Sequence, residues 1–134
     1  MSKHTERIGV VVVGGGAAGL VAAIMAAWNG AKVLILEHNE VPGKKILATG
    51  NGKCNYYGQN PAFVAPVFEQ FGLEETLQFF KELGIYPKER NGGYYPQSEQ
   101  ATAIRDVLLM ELKKQNVGVV CGCGIRGIEK TAKG

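Results

Sequence analysis

Two uncharged apolar runs with a glycine cluster between them set the pattern of this chain. Ile8-Gly9-Val10-Val11-Val12-Val13 is rich in β-branched residues and leads straight into Gly14-Gly15-Gly16-Ala17-Ala18-Gly19. A strand-length run without polar alternation predicts a strand buried on both faces, as in a parallel sheet. In the alanine-rich segment that follows, Leu20, Ile24 and Ala27 fall at helical spacing. A helix is therefore expected from about Ala17 to Trp28 or Asn29, with Gly30 as its C-terminal cap. Lys32-Val33-Leu34-Ile35-Leu36 predicts a second strand, which stops at the acid Glu37.

Further along, Asn60-Pro61 opens a helical segment to Phe71, closed by Gly72, and a second helix is expected from Leu73 to Leu83. Its Phe79-Phe80 pair suits a core, and Glu74 and Glu75 suit the dipole of a first turn. The segment from Ile85 to Pro96 predicts a hairpin with Asn91-Gly92-Gly93 as its turn, and its tyrosines Tyr94 and Tyr95 are expected to pack rather than meet a ligand. Ser98 is a suitable N-cap, followed by Glu99, for a helix reaching about Gln115 with Ile104, Val107, Leu108 and Leu112 inward. Val117–Val120 and Ile125–Lys130 predict two more strands. The alternation of strand and helix gives an α/β fold: a Rossmann-like βαβ domain with a central parallel sheet.

Composition changes this picture little but excludes several classes. The 134 residues, 46% of them hydrophobic, make about one domain with a core. No charged side chain occurs from Ile8 to Trp28, which invites a membrane span or signal peptide. Three consecutive glycines at its centre argue against it, since each costs a helix about 1 kcal/mol relative to alanine. A net charge of +3, with scattered lysines and arginines, gives no nucleic-acid signature. Three cysteines are an odd number, without a signal sequence, and point to a reducing compartment, the cytoplasm. Cys121 and Cys123 are expected as buried strand cysteines, and no metal site is expected. His4 and His38 are isolated and carry no assigned role.

The chemistry lies in the glycines. Gly14 permits a tight turn off the strand, Gly16 lets a pyrophosphate approach the backbone, and Gly19 lets the helix pack closely. Free N–H groups and a partial positive charge of roughly half a unit at the helix start suit a phosphate. Glu37, at the end of the second strand, suits a ribose 2′-hydroxyl and would repel a 2′-phosphate. The motif stands in its strand–turn–helix context, which is what gives it weight. A second stretch, Gly43-Lys44-Lys45-Ile46-Leu47-Ala48-Thr49-Gly50-Asn51-Gly52-Lys53-Cys54-Asn55, offers backbone N–H groups, hydroxyl and amide donors and positive charge. On chemistry alone it is either a phosphate- or flavin-facing loop or a polar connection.

Together the two stretches resemble a bacterial family of FAD-dependent oxidoreductases that includes aminoacetone oxidase and the bile-acid flavin reductases, with a glutathione-reductase-like FAD domain. The resemblance covers nearly the whole chain and implies FAD as cofactor, with NAD(P)H a candidate electron donor. It implies that Gly14, Gly16 and Gly19, with Ala17 and Ala18 between them, hold the pyrophosphate and that Glu37 holds the adenosine ribose. Lys44 or Lys45 would lie near the ADP half, and Thr49, Gly50, Asn51, Gly52, Cys54 and Asn55 toward the ribityl chain and ring. Cys54 would lie close to the flavin, and the backbone at Ile125 would meet the adenine. Lys53 departs from the arginine common in the family.

Members of that family are much longer, so residues 1–134 are expected to be the N-terminal part of an FAD domain, truncated before its C-terminal half. Its substrate domain would lie outside the chain. Expected partners are a small-molecule substrate, with neither nucleic acid nor membrane, and self-association through the truncated sheet. Catalytic residues are unassigned. Alternatives are an NAD-dependent dehydrogenase domain and a nucleotide-binding module without turnover.

Overall fold

The computed structural model describes residues 7–58 and 62–133. Strand β1 (Val10–Val13), helix α1 (Ala17–Trp28) and strand β2 (Val33–Leu36) form a parallel βαβ unit, in register Val10↔Val33 to Val13↔Leu36. After β2 the chain makes 3₁₀ turns over Lys44–Gly52, broken where Thr49, Gly50 and Asn51 leave helical geometry. A short turn at Ala62–Val64 leads into helix α2 (Ala65–Phe68), and α3 (Leu73–Glu82) follows. A hairpin of β3 (Pro87–Arg90) and β4 (Gly93–Pro96) precedes helix α4 (Ala101–Lys114) and strand β5 (Gly118–Val120). β5 pairs parallel with β2, giving the sheet order β1-β2-β5.

Both crossovers step the same way across the sheet, so the right-handed rule puts α1 and α4 on one face. Leu20, Ala23 and Ile24 of α1, Val33 and Ile35 of β2, and Ile104, Leu108 and Leu112 of α4 form the buried centre. The Trp28 indole N–H donates to Glu111 Oε1 at 2.8 Å and ties the two helices side by side. Phe79 packs on Trp28 with ring centroids 5.4 Å apart, so the phenylalanine pair is core, as its periodicity predicts.

Several sequence expectations are corrected. β1 is buried on one face rather than two: Val11 and Val13, pointing away from α1, are 49% and 59% exposed. Both helices lie on the opposite face, and composition alone does not show that. Ile125–Lys130 forms no strand and pairs with no strand among the described residues, and Ile128 is 89% exposed. Cys121 and Cys123 are half-buried in the bend after β5, where Gly122 N–H donates to Asn39 O and Cys123 N–H to Glu37 O. Ser98 does not cap α4; the cap is Gln100, and Ser98 Oγ accepts the Gln100 N–H at 3.3 Å.

Glu99 takes a left-handed conformation (φ 53°) and turns back to the hairpin, against Lys88 at 2.9 Å and Arg90 at 3.1 Å. Those cations lower its carboxyl, through the Lys88 hydrogen bond first, and outcompete the helix dipole for it. Asn91 and Gly92, both at positive φ, make the hairpin turn, while Gly93 belongs to the strand. Gly72 N–H donates to Glu75 Oε2 at 2.9 Å, so Glu75 closes the start of α3 directly. Asn60 and Pro61 lie outside the described residues.

Leu108 is 1% exposed and Met110, two residues on, is 69% exposed. In urea unfolding, Leu108→Ala is expected to cost about 2–5 kcal/mol. Met110→Ala is expected to stay within about 0.5 kcal/mol of the parent. Equal losses at the two positions would contradict this placement of α4.

Candidate nucleotide site

The site is built where β1 ends. Gly14 (φ 99°) turns the chain, and its N–H donates to Leu36 O at 2.8 Å. A Cβ on Gly19 would stand 1.8 Å from the Gly14 carbonyl oxygen, so only glycine lets α1 lie this close to the turn. A Cβ on Gly16 would meet nothing within 4 Å; that open space is room for a ligand against the backbone. Gly16 is the extended cap of α1 and no side chain caps the helix. The first-turn N–H groups thus face outward with their partial positive charge, the arrangement that takes a phosphate.

Glu37 organises the other side of the turn. Its carboxylate accepts from Gly15 N–H at 2.5 Å, from Asn39 N–H at 2.7 Å and from the Asn39 amide at 3.0 Å. Its backbone joins the sheet, N–H to Val120 O and carbonyl from Cys123 N–H. The residue is 6% exposed. The Asn39 and then the Gly15 N–H hold its carboxyl below the ordinary carboxylate value despite burial. An ionised carboxylate has about four acceptor positions, so three bonds leave one for a hydroxyl.

Three cavities follow one another along this edge. The first, about 490 Å³, is lined by Gly15, Gly16, Glu37, Lys44, Lys45 and Ala48, among others. The second, about 430 Å³, shares Lys45 with it and adds Ala17, Ala18, Thr49, Cys54 and Asn55. The third, about 340 Å³, shares Glu37 and adds Gly14, His38, Gly124 and Ile125. A cradle of this shape fits an extended dinucleotide: an acid for the ribose, open glycine backbone and two exposed lysines for the phosphates, and a more apolar far chamber.

The structure thus brings Gly14, Gly16, Ala17, Ala18, Glu37, Lys44, Lys45, Thr49, Cys54, Asn55 and Ile125 to one string of cavities. Gly19 supports the turn from beneath. Gly50, Asn51 and Gly52 line none of these cavities; all three have positive φ and reverse the chain. A Cβ on Gly50 would stand 2.5 Å from Asn55 N, which fixes how tightly that reversal closes. The Asn55 side chain also faces the hairpin, accepting the Tyr94 N–H at 3.3 Å. Burial pushes the Cys54 thiol up, which keeps it protonated.

Three residues were not singled out from sequence. Gly15 is the donor to Glu37, and Asn39 completes that carboxylate's shell. Gly43 (φ 71°) donates to Gly15 O at 2.7 Å and fastens the lysine turn to the glycine turn. A short amide side chain two residues after the acid was the available signal for Asn39. Among the described residues no group of His, Cys, Asp or Glu gathers as a metal site, and no helix is long and apolar enough to cross a membrane.

A family model described as "HI0933-like protein Rossmann domain" matches residues 8–134. The 3-dehydro-bile acid delta(4,6)-reductase of Clostridium scindens is 46% identical over 96% of this chain and 34% of its own length. The ribosomal RNA dihydrouridine synthase of Escherichia coli is 31% identical over 84% of this chain and 30% of its own. The chain therefore spans about a third of the length of these two curated relatives. Among solved structures, THI4 of Thermovibrio ammonificans matches 86% of this chain and 38% of its own with TM-score 0.61 at 23% identity. The L-amino acid deaminase of Proteus myxofaciens matches 98% and 42% with TM-score 0.55 at 18% identity. Those likenesses show the fold: Rossmann-like, with a parallel sheet.

Glu37 makes a pH prediction. Its folded value is lowered from 4.5, so its contribution to stability is complete above that value and lost as pH falls through the folded one. A plot of urea midpoint against pH is expected to fall less steeply below pH 4.5 in Glu37→Gln than in the parent. Some slope should remain from Glu99 and Glu111, whose values are also lowered. Identical slopes would show that the carboxylate is not held as described.

Proposed function

The chain belongs to the HI0933-like protein Rossmann domain family, and on that premise we propose that it is the FAD-holding domain of a flavoprotein oxidoreductase. The observation that carries this is the string of cavities joined through Glu37 and Lys45. Its cavities measure about 490, 430 and 340 Å³, and one end is a chamber walled by Val21, Phe80, Ile104 and Leu108. Glu37 would accept from the adenosine ribose, with the adenine toward Ile125. Gly14, Gly16 and the first turn of α1 would take the pyrophosphate by backbone N–H, and Lys44 and Lys45 would offset its charge. Thr49, Cys54 and Asn55 would border the ribityl chain and ring.

When bound, the flavin supplies hydride transfer through N5. The chain's own residues would bind and orient it: the buried acid would discriminate against a 2′-phosphate, and Val21, Phe80, Ile104 and Leu108 would give the far chamber an apolar wall. The protein that carries this chain acts on a small-molecule substrate, and the relatives named as a bile-acid reductase and as L-amino-acid oxidases favour that class. Two relatives are named ribosomal RNA dihydrouridine synthases, so RNA is the competing substrate to test. The cysteines Cys54, Cys121 and Cys123 are all free, which fits a reducing compartment such as the cytoplasm. The half-exposed valines of β1 leave an apolar face that another copy or another segment could cover.

The test is a titration of the purified protein with FAD, NADH and NADPH, followed by flavin and nicotinamide fluorescence. Saturable FAD binding is expected, at least about tenfold tighter than either nicotinamide, a difference of about 1.4 kcal/mol. Gly16→Val should abolish it while leaving the melting temperature within about 2 °C, because its side chain would enter open space. Preference for NADH would favour a dehydrogenase, and salt-sensitive RNA retention would move the substrate to nucleic acid.

A further inference from the structure

The surface around Glu99 carries more positive charge than the fold there uses. Glu99 Oε2 accepts from Lys88 Nζ at 2.9 Å, while Oε1 stands 3.1 Å from Arg90 Nη1 and 3.9 Å from Lys53 Nζ. Arg105 and Lys114, by contrast, face Asp106 and Glu111 one to one. The Lys88 hydrogen bond and then the Arg90 and Lys53 charges hold the Glu99 carboxyl below its ordinary value, so it is ionised at neutral pH. Three cations against one anion leave a surplus of two positive charges. Glu89, between Lys88 and Arg90 on β3, does not offset it, because alternation along a strand puts it on the opposite face.

The cluster is reachable from solvent. The side chains of Lys53, Lys88 and Arg90 are 41%, 38% and 47% exposed. Among the described residues Arg90 meets Glu99 through one terminal nitrogen, which leaves most of its guanidinium donors for a second anion. Glu99 has φ 53°, a conformation that residues with a side chain rarely adopt, and such strain gathers at functional sites. Surface ion pairs add little stability, so fastening the hairpin does not account for a third cation drawn in from the Gly43–Asn55 loop. The cluster also adjoins the far chamber. Lys53 precedes Cys54 and Asn55, which line that chamber, and β4, the partner of the strand carrying Lys88 and Arg90, bonds to Asn55 and Tyr56.

We infer that Lys53, Lys88 and Arg90 form an anion subsite that takes the carboxylate or phosphate group of the small-molecule substrate. This rests on the FAD reading above, which seats the flavin ring in the adjoining chamber. Glu99 is the positioning residue: it draws three mutually repelling cations together without cancelling their charge. The substrate class narrows accordingly, to molecules with a reactive centre at the ring and an anionic group toward the hairpin. Lys44 and Lys45 line the first cavity and belong to the ADP half.

The test is a calorimetric titration, at low salt, of the FAD-loaded natural protein that carries this chain, with hexanoate, hexanamide and inorganic phosphate. Hexanoate and hexanamide share a shape and differ in charge; hexanoate against phosphate separates a carboxylate ligand from a phosphate one. At least one anion is expected to bind about tenfold or more tighter than hexanamide, and to shift the visible band of the bound flavin. Arg90→Gln should weaken anion binding about tenfold while FAD affinity holds and the melting temperature stays within about 2 °C. Glu99→Gln should tighten it about threefold, because one competing negative charge is removed. Weaker anion binding in Glu99→Gln would show that the cluster only holds the hairpin, and would overturn the inference. Equal binding of hexanoate and hexanamide, binding of neither anion, or an unmoved flavin band would overturn it too. FAD affinity is read separately, so each of these outcomes leaves the FAD reading standing, while a protein that takes no FAD would overturn that reading itself.

Discussion

The site depends on one buried carboxylate and the backbone N–H that reaches it. Glu37 ends β2, Gly15 sits in the turn off β1, and the bond between them joins the two halves of the βαβ unit at its ligand-facing edge. An ion in a buried setting is tolerable only when its lone pairs are met, and here Gly15 and Asn39 meet three of them. The consequences spread outward. The Glu37 carbonyl holds the bend after β5, and that bend brings Ile125 to the third cavity. Gly15 O holds Gly43, which starts the turns that present Lys44 and Lys45.

A second layer of positioning comes from the hairpin. β4 reaches the loop ending at Tyr57 through backbone bonds to Tyr56 and Tyr57 and through the Asn55 side chain. A Cβ on Gly93 would stand 2.9 Å from the Asn55 amide nitrogen, so a larger residue there would displace that side chain. Glu99 sits within ion-pair reach of Lys88, Arg90 and, at 3.9 Å, Lys53. Surface pairs of this kind add little to stability. Their contribution is therefore geometric: they fix the hairpin beside the loop that borders the far chamber.

Much of this was legible from sequence, because the strongest signals were local. The Val10–Val13 run, the glycines after it and the alanine-rich helix each carry their own conformational preference, and Glu37 follows from where β2 must stop. The family resemblance added an expected ligand role for the loop from Gly43 to Asn55, which chemistry alone left between a binding segment and a connection. What sequence did not show was relational. Nothing local in Ile125–Lys130 reveals that no strand pairs with it, or in Val11 and Val13 that both helices lie on the opposite face. Glu99 obeyed charges on a hairpin eleven residues back rather than the helix it precedes.

The central claim is that Glu37 and the glycine turn hold one half of a dinucleotide while a separate chamber awaits the other. Amide chemical shifts recorded by NMR during a titration with ADP test it directly, because ADP carries only the first half. The amides of Gly14, Gly15, Gly16, Asn39 and Ile125 should shift with a common saturation curve, while those of Cys54, Asn55 and Tyr56 stay where they are. Shifts concentrated at Cys54–Tyr56, or none at Gly15, would contradict it.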